Sequence, residues 1–430
     1  MHSRLHNPNE LRAADRAAHD WYRFVLSFPP HLVREYLQRF NVKPEETVLD
    51  PFCGTGTTLV ECKRLGIPSQ GVEANPVAYL ASRVKTNWQI DPDQLLNLAH
   101  QIAEEAHEAL ARQGIEDNML LFHLPGSVRL RSVPPEAQQL LLKNSIDPLP
   151  LHKTLILLDT LNQYRENACY QHLLLALAKS TVQNVSNLRF APEVSARGSK
   201  PFAPVISPWL SEVRQMASDL KQLSVKKDTM VEIFLADSRY VGTMLPPESV
   251  SAVITSPPYP NEKDYTRTTR LELVLLGFLR NRRDLRALKQ TLIRSNTRTV
   301  YKHDADDQAV RHSQAVDNLA NQIESRRIAL GKTSGFERLY SRVIRLYFGG
   351  LSLHLASLRS CLRPNARLAY VVGDQASYFR VKISTGTLLA EIAENLGYVC
   401  ESIDLFRMRS STAHGEQLRE EVVVLQWLGK

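Results

Sequence analysis

The stretch Asp50-Pro51-Phe52-Cys53-Gly54-Thr55-Gly56-Thr57-Thr58 decides the fold, because it leaves one predicted strand and opens a helix. The short apolar run at 47–49 predicts the strand, residues 58–65 predict the helix, and residues 70–72 begin another strand. Glycines let a loop backbone approach a ligand closely, and the N–H groups at a helix start favour an anion. The whole unit reads as βαβ and therefore predicts a parallel sheet.

Glu73 ends the second predicted strand and narrows the choice of ligand. A carboxylate at that point accepts hydrogen bonds from both hydroxyls of a ribose. A dinucleotide fold wants a third glycine where this chain has Leu59, and the Walker ending GK[ST] is absent. The remaining ligand with an adenosine, a ribose and a carboxylate tail is S-adenosylmethionine. The alternative interpretation is a plain tight turn of an α/β protein.

A second loop, Ser256-Pro257-Pro258-Tyr259, follows the predicted strand at 251–255. Two prolines remove two backbone donors and leave carbonyl oxygens available as acceptors. Ser256 Oγ and the Pro257 carbonyl are suited to accept the two hydrogens of a nucleobase amino group, which favours a tetrahedral nitrogen. Tyr259 supplies a face for stacking an extruded base. The alternative is an ordinary proline-rich turn after a buried strand.

Asp237 follows a third predicted strand, at 231–235. At a strand's carboxyl end its side chain is suited to accept the adenine amino group of the cofactor. The alternative is a helix N-cap or turn aspartate.

Composition and length limit the class of protein. The chain has 430 residues, of which 43% are hydrophobic, and a formal net charge of +8, which favours an anionic partner. Its five cysteines include no CxxC pair, so we predict neither a zinc site nor a disulfide framework. The N-terminus lacks an apolar signal core, and the apolar run at 173–178 is too short to span a bilayer. We therefore predict a cytoplasmic protein with no membrane association and no structural metal.

The spacing of strand signals suggests one α/β domain interrupted by insertions. Residues 1–92 form its first part and carry the glycine loop, and residues 93–227 form a mainly helical insertion. Residues 228–430 complete the domain and contain a smaller basic insertion at about 280–338.

The smaller insertion begins with eight Arg or Lys residues and one acid, Asp284, between residues 280 and 302. This composition suits contacts with DNA phosphates. The predicted DNA-binding residues are Arg280, Arg282, Arg283, Arg286, Lys289, Arg294 and Arg298. The alternatives are a solvated basic face here, and recognition of DNA by the larger insertion.

Together these motifs resemble those of the amino-methyltransferases that modify DNA at N4 of cytosine or N6 of adenine. DPFCGTGTT resembles the family's cofactor motif and TSPPY its catalytic motif, while Phe28-Pro29-Pro30 resembles the N-terminal cofactor segment. The resemblance covers roughly residues 20–90 and 230–280, and more loosely 340–430. It implies a Rossmann-like class I methyltransferase fold, with a mostly parallel seven-stranded sheet, helices on both faces and an antiparallel last strand. With the motifs above, it yields the predicted cofactor-binding residues Phe28, Pro29, Asp50, Pro51, Phe52, Gly54, Gly56, Thr57, Thr58, Glu73, Asn75, Asp237 and Ser238.

The Ser form of the catalytic motif usually accompanies N4-cytosine, whereas Asp or Asn forms usually accompany N6-adenine. The leading hypothesis is therefore a DNA N4-cytosine methyltransferase in a restriction–modification or phage-defence setting, with cleavage assigned to a companion chain. The alternatives are an N6-adenine enzyme, a structured-RNA amino-methyltransferase and a non-catalytic DNA-binding subunit. Enzymes with SPPY often carry it before the glycine motif, and this chain has the reverse order. That order leaves open which insertion reads DNA.

Overall fold

The computed structural model describes residues 11–23, 27–118, 129–190, 193–410 and 417–429. These residues contain a seven-stranded sheet. Its strands, in chain order, are β1 (Val48–Asp50), β2 (Ser69–Glu73), β3 (Val231–Leu235), β4 (Val250–Thr255), β5 (Leu362–Gly373), β6 (Tyr398–Ser410) and β7 (Gln417–Trp427).

The strand order across the sheet is β3-β2-β1-β4-β5-β7-β6. The first five strands in this order, β3, β2, β1, β4 and β5, are parallel to one another. Strand β7 runs antiparallel to both of its neighbours, β5 and β6. The predicted mostly parallel sheet with an antiparallel last strand is thus confirmed. The chain progresses outwards in opposite directions from β1 and β4, and a ligand crevice is expected where the order reverses.

Both faces of the sheet are covered, as the alternation of its strand residues requires. On β5, Ala369 and Val371 belong to a core shared with the helix at Pro30–Arg39, whereas Leu368 and Tyr370 belong to a core shared with the helix at Tyr340–Leu358. The result is a three-layer α/β architecture of the Rossmann-like methyltransferase class.

Several helices begin at proline, which is favourable in a first helical turn because its missing N–H has no partner to lose there. The α-helices are α1 (Arg16–His19), α2 (Pro30–Arg39), α3 (Thr57–Leu65), α4 (Pro76–Thr86), α5 (Pro92–Ala111), α6 (Pro135–Gln138), α7 (Pro148–Asn162), α8 (Tyr170–Ser180), α9 (Ile206–Leu223), α10 (Tyr265–Thr268), α11 (Arg270–Leu275), α12 (Arg282–Gln290), α13 (Gln314–Ala329), α14 (Tyr340–Leu358) and α15 (Thr385–Asn395). Across the described ranges, none of these helices has the length and apolar character needed to span a bilayer.

The large segment between β2 and β3 is helical, as predicted, and adds a small antiparallel ribbon that pairs Leu188–Arg189 with Ser195–Ala196. Its helices α5 to α9 do not form a core of their own. Their buried residues join one apolar cluster with Val77 and Val84 of α4 and with Leu271 of α11. The insertion is therefore packed in one helical layer with α4 and α11.

The smaller insertion is more ordered than its polar composition predicts. It contains α12 and α13, and α13 buries Val316, Leu319 and Ile323 against α14. Many of its polar residues also point inwards, because they form hydrogen bonds with the loop that follows Tyr259.

Candidate active site

A cavity of about 340 Å³ opens at the carboxyl ends of β1, β2 and β4, where the strand order reverses. Its volume lies within the range of roughly 300–1,000 Å³ that is typical of small-ligand pockets. The glycine loop, the end of β2 and the SPPY loop all line it, together with residues of both insertions and of the β6–β7 hairpin. The fold therefore brings the two sequence motifs, about 200 residues apart in the chain, into one site.

The glycine loop owes its path to two glycines. Gly56 has a φ of +85°, and a Cβ added there would lie 3.0 Å from Cβ of Ser82. Gly71 on β2 leaves room for the loop, since a Cβ there would lie 2.7 Å from Cδ1 of Leu59 and 3.0 Å from Sγ of Cys53. A larger residue at either position forces the loop away from the sheet.

Glu73 is held by this loop. Its Oε2 accepts a hydrogen bond from the Gly54 amide at 2.9 Å, and its Oε1 accepts one from the Asn75 amide at 2.7 Å. Each oxygen has a second lone pair that remains available to a ligand. Burial raises the pKa of Glu73 to about 7, although these amide hydrogen bonds favour its ionised form.

Two side chains behind the cavity join the glycine loop to β4. Asp50 Oδ1 accepts a hydrogen bond from Thr255 Oγ1 at 2.6 Å, and Thr58 Oγ1 donates to the Ile254 carbonyl at 3.0 Å. Asp50 and Thr58 are fully buried and do not line the cavity. Their position supports a role in aligning the two loops rather than in touching a ligand.

The SPPY loop places Ser256 at the cavity wall, with its hydroxyl group hydrogen-bonded to the protein. Ser256 Oγ donates its proton to the Val371 carbonyl of β5 at 3.0 Å, because a carbonyl oxygen can only accept. With its proton donated to Val371, Oγ keeps lone pairs that can accept hydrogen bonds, and the Tyr259 side chain lies within hydrogen-bonding contact of it. Pro257 and Pro258 also line the cavity.

Tyr259 is held at both ends. Its amide donates to Tyr265 Oη at 3.2 Å, and its own hydroxyl donates to Glu420 Oε1 at 3.0 Å. Glu420 also pairs with Arg407, and the Arg409 guanidinium lies 5.7 Å from the Tyr259 ring centroid. Burial, followed by the nearby Glu420, raises the pKa of Tyr259, so its hydroxyl remains a donor.

The remaining predicted cofactor residues divide into two groups. Those that line the cavity are Phe28, Pro51, Phe52, Gly54, Thr57, Glu73, Asn75 and Ser238. Pro29, Asp50, Gly56, Thr58 and Asp237 are absent from the cavity wall. Pro29 immediately precedes α2, and Gly56 precedes α3.

The expectation for Asp237 needs correction. Both of its carboxylate oxygens accept hydrogen bonds from Arg239, whose guanidinium also pairs with Asp306. Ala236 and Ser238 take its place at the cavity wall. The Asp237 carboxylate is therefore engaged in an internal ion pair and not directed towards a cofactor adenine.

The predicted DNA-binding residues also divide. Arg280, Arg282, Arg283, Arg286 and Arg298 are exposed. Lys289 is buried and binds Asp264 at 2.8 Å, and Arg294 is buried in a two-fold hydrogen-bonded pair with Asp304. These two buried cations stabilise the insertion, and we remove them from the DNA-contact candidates.

The sequence interpretation missed several residues of the cavity wall. They are Phe190, Glu193 and Val194 of the large insertion, Lys263 and Arg267 after the SPPY loop, and Phe406, Arg407, Arg409 and Glu420 of the β6–β7 hairpin. Lys263 and Arg267 lay within reach of sequence reasoning, since they directly follow the catalytic motif. The hairpin residues have no local motif, and only the sheet topology brings them to the site.

Comparisons with known proteins agree with this architecture. A family model described as DNA methylase, of the N6/N4 type, matches residues 3–83. The type II methyltransferase M.BsoBI of Geobacillus stearothermophilus is 24% identical over 437 residues, covering 94% of this chain and 82% of that protein. M.AvaI of Nostoc sp. is 23% identical over 394 residues, covering 89% of this chain and 79% of its own length.

Among solved structures, TrmN from Thermus thermophilus aligns with 93% of this chain and 49% of its own, at 11% identity and a TM-score of 0.29. The order and direction of the strands by themselves identify the fold. The family match covers the glycine loop and Glu73, and the two near full-length relatives extend the likeness over the SPPY region. The chain is therefore similar to DNA amino-methyltransferases in its cofactor-loop region, and to type II methyltransferases over nearly its whole length.

Proposed function

We propose that this protein transfers a methyl group from S-adenosylmethionine to the N4 amino group of cytosine in DNA. The observation that carries the proposal is the hydrogen bond from Ser256 Oγ to the Val371 carbonyl. It commits the serine proton to the protein, so that the oxygen facing the cavity is an acceptor for a nucleobase amino group. The Ser form of the motif, which usually accompanies N4-cytosine, supports the choice of base.

The residues present fit the cofactor that the family implies. Glu73 offers carboxylate lone pairs to a ribose, and Phe28 and Phe52 supply apolar contacts at the same wall. S-adenosylmethionine, when bound, supplies a methyl group on a positively charged sulfur. The backbone N–H groups of the first turn of α3 can donate hydrogen bonds to a ligand oxygen or carboxylate.

The protein's contribution to the chemistry would be orientation and hydrogen bonding. The amino nitrogen of cytosine is a poor nucleophile because its lone pair is delocalised into the ring. Ser256 Oγ and the Pro257 carbonyl would accept its two hydrogens, and Tyr259, fixed by Glu420, would stack on the extruded base. Overall, the nitrogen gains a methyl group and loses one proton to solvent.

The biological setting is part of the proposal. Both near full-length relatives are named type II methyltransferases, which supports a role in protecting DNA beside a separate restriction endonuclease or defence subunit. Such an enzyme would work in the cytoplasm. Its target sequence would be read by the exposed arginines of α12 or by the large insertion.

Nucleoside mass spectrometry tests the reaction. Unmethylated DNA is incubated with the protein and S-adenosylmethionine that carries a deuterated methyl group, then digested to nucleosides. We expect labelled N4-methylcytosine. Labelled N6-methyladenine would show that the protein is a DNA methyltransferase but that its target base is adenine. Label on RNA alone, or cofactor binding with no transfer, would favour a structured-RNA enzyme or a non-catalytic subunit.

The catalytic assignment predicts that Ser256→Ala slows methyl transfer on the order of a hundredfold, because one amino-group acceptor is removed. Cofactor affinity, measured by calorimetry, should stay unchanged. Ser249→Ala is the matched control: this serine hydroxyl also donates to a backbone carbonyl, that of Pro246, but it lies at the amino end of β4. Transfer by Ser256→Ala at the rate of the control would contradict the assignment.

A further inference from the structure

Several positively charged side chains line the part of the cavity around the SPPY loop without an ion-pair contact to a carboxylate among the described residues. Lys263, Arg267, Arg298 and Arg409 all line it. Within the described ranges, none of these four forms an ion pair with an acidic side chain. The other cation of this wall, Arg407, is by contrast paired with Glu420, and the acid Asp264 is paired with Lys289.

Lys263 and Arg409 line the same cavity and carry the same charge. Burial, and then the nearby Arg409, lowers the pKa of Lys263, while Glu193 acts in the opposite direction without an ion-pair contact. Like charges on one half-buried wall are unfavourable unless an anion joins them. Their arrangement thus indicates a site whose counterion comes from a ligand.

The backbone of Lys263 and the side chain of Arg409 are both held by hydrogen bonds. The backbone of Lys263 is fixed by Asn261 Oδ1, which accepts from its amide, and by Asn296 Nδ2, which donates to its carbonyl. Arg409 donates to the Asp374 carbonyl at 3.0 Å, and its buried Nε has no partner among the described residues. A donor left unpaired in this way favours a ligand acceptor.

The position of Arg409 separates it from the glycine loop. Arg409 reaches the end of β5, which is two strands from β1 and therefore roughly 10 Å from the glycine loop. It also lies over Tyr259, the proposed stacking face for the extruded base. An oxyanion bound here would adjoin the base and not the ribose that Glu73 is suited to hold.

We propose that Lys263 and Arg409 form an oxyanion site that binds a backbone phosphate of the DNA strand carrying the target base. Arg267 and Arg298 add positive charge to the same cavity. The inference rests on the proposed function, because it places the extruded nucleotide against Tyr259. The cofactor carboxylate is the other source of an oxyanion in this cavity, and the experiment separates the two.

The test compares Lys263→Gln and Arg409→Gln with the wild-type protein in two equilibrium measurements. Fluorescence anisotropy of a labelled mixed-sequence DNA duplex gives Kd over a range of salt concentrations, and calorimetry gives the Kd of S-adenosylmethionine. We expect the slope of log Kobs against log salt to become shallower by about 0.9 for each phosphate that the variant no longer neutralises. Cofactor affinity should not change.

Lys43→Gln is the matched control, because it removes one exposed positive charge that precedes β1, at the amino-terminal ends of the parallel strands and away from the cavity. It should leave the slope as in wild type. Lys263→Arg restores the charge and should restore the slope. This variant keeps the test decisive if Arg409→Gln, whose side chain packs on Tyr259, proves poorly folded.

An unchanged slope in Lys263→Gln overturns the proposal, and so does a Lys263→Arg variant as defective as Lys263→Gln. A weaker cofactor Kd with an unchanged slope assigns the cations to the cofactor carboxylate and also overturns it. Neither measurement needs methyl transfer. A protein that methylates adenine, or nothing, would therefore fail the proposed function without deciding this one.

Discussion

Glu73 receives the amides of Gly54 and Asn75 on its two oxygens, yet burial still raises its pKa to about 7. Its ordinary pKa is 4.5, so in the free protein the carboxyl group keeps its proton over a range where an exposed glutamate is ionised. Only the ionised group accepts hydrogen bonds at both oxygens. The protonation of this one residue should therefore control how the site holds a ribose.

We predict that the affinity for adenosine increases as the pH rises through about 7 and levels off above it. The ribose hydroxyls favour the ionised form of Glu73. At low pH, binding therefore requires the Glu73 carboxyl group to lose its proton, which weakens the measured affinity. Above the pKa of Glu73 the group is already ionised and this unfavourable contribution disappears. Adenosine is the probe because it has no group that titrates in this interval. Calorimetry at several pH values measures the effect.

Glu73→Gln is the control for that experiment, since it removes the titration while keeping an amide oxygen as acceptor. Its adenosine affinity should be weaker at high pH and should not vary with pH. A wild-type affinity that is flat across the same interval would contradict the role given to Glu73.

At the scale of elements, β1 and β4 are adjacent strands whose loops carry the cofactor and catalytic motifs. Thr255, the last residue of β4, connects them by donating to Asp50 at the end of β1. Burial raises the pKa of Asp50 to about 6, while the Thr255 hydrogen bond acts in the opposite direction. We expect this hydrogen bond, together with that from Thr58 to the Ile254 carbonyl, to contribute both to the stability of the sheet and to the alignment of the two loops.

Thr255→Val should lower the free energy of unfolding by about 1–3 kcal/mol, because it leaves the buried Asp50 oxygen without that partner. It should also lower kcat more than it raises KM, because the hydrogen bond that aligns the glycine loop with the SPPY loop is lost. Urea denaturation and steady-state methylation measure the two effects.

The control for this variant is Thr160→Val on α7, a buried threonine whose hydroxyl donates to the Ile156 carbonyl of its own helix. That local bond competes with ordinary helix geometry, so its removal should cost less than the substitution at Thr255. If the two substitutions changed stability and kcat equally, the prediction that the hydrogen bond between Asp50 and Thr255 aligns the two loops would be wrong.

For the whole molecule, sequence reasoning succeeded where the signal was local. Apolar runs marked the strands, and glycine and proline marked the two loops at their ends. It failed where tertiary partners decide the outcome. We predicted Lys289 and Arg294 to be surface cations, because no local sequence pattern indicates that Asp264 and Asp304 are their buried partners.

Asp237 shows the same limit, because its carboxylate pairs with Arg239 inside the protein, and the strand pattern alone does not predict that pair. The order of the strands could be expected only through the family resemblance. The hairpin residues Arg409 and Glu420 reach the site because β7 inserts between β5 and β6. No periodicity in the sequence encodes that insertion.

The boundary at residue 93 also belongs to this scale. Composition separates the helical segment from the sheet, yet the structure packs Leu173 of α8 in one continuous core with α4 and α11. A segment that shares its core with its host should open together with it, because the same apolar contacts hold both.

We predict that Leu173→Ala, which removes a fully buried side chain, costs about 2–5 kcal/mol and loosens the host helices as well as the insertion. Hydrogen–deuterium exchange followed by mass spectrometry should show lower protection in α4 and α11 together with α8. Leu389→Ala is the control: this leucine is equally buried but lies in α15, in the core on another side of the sheet. Its effect should concentrate in α15 and α14. Loss of protection confined to residues 93–227 in Leu173→Ala would instead mean that the insertion unfolds by itself, as the composition alone suggests.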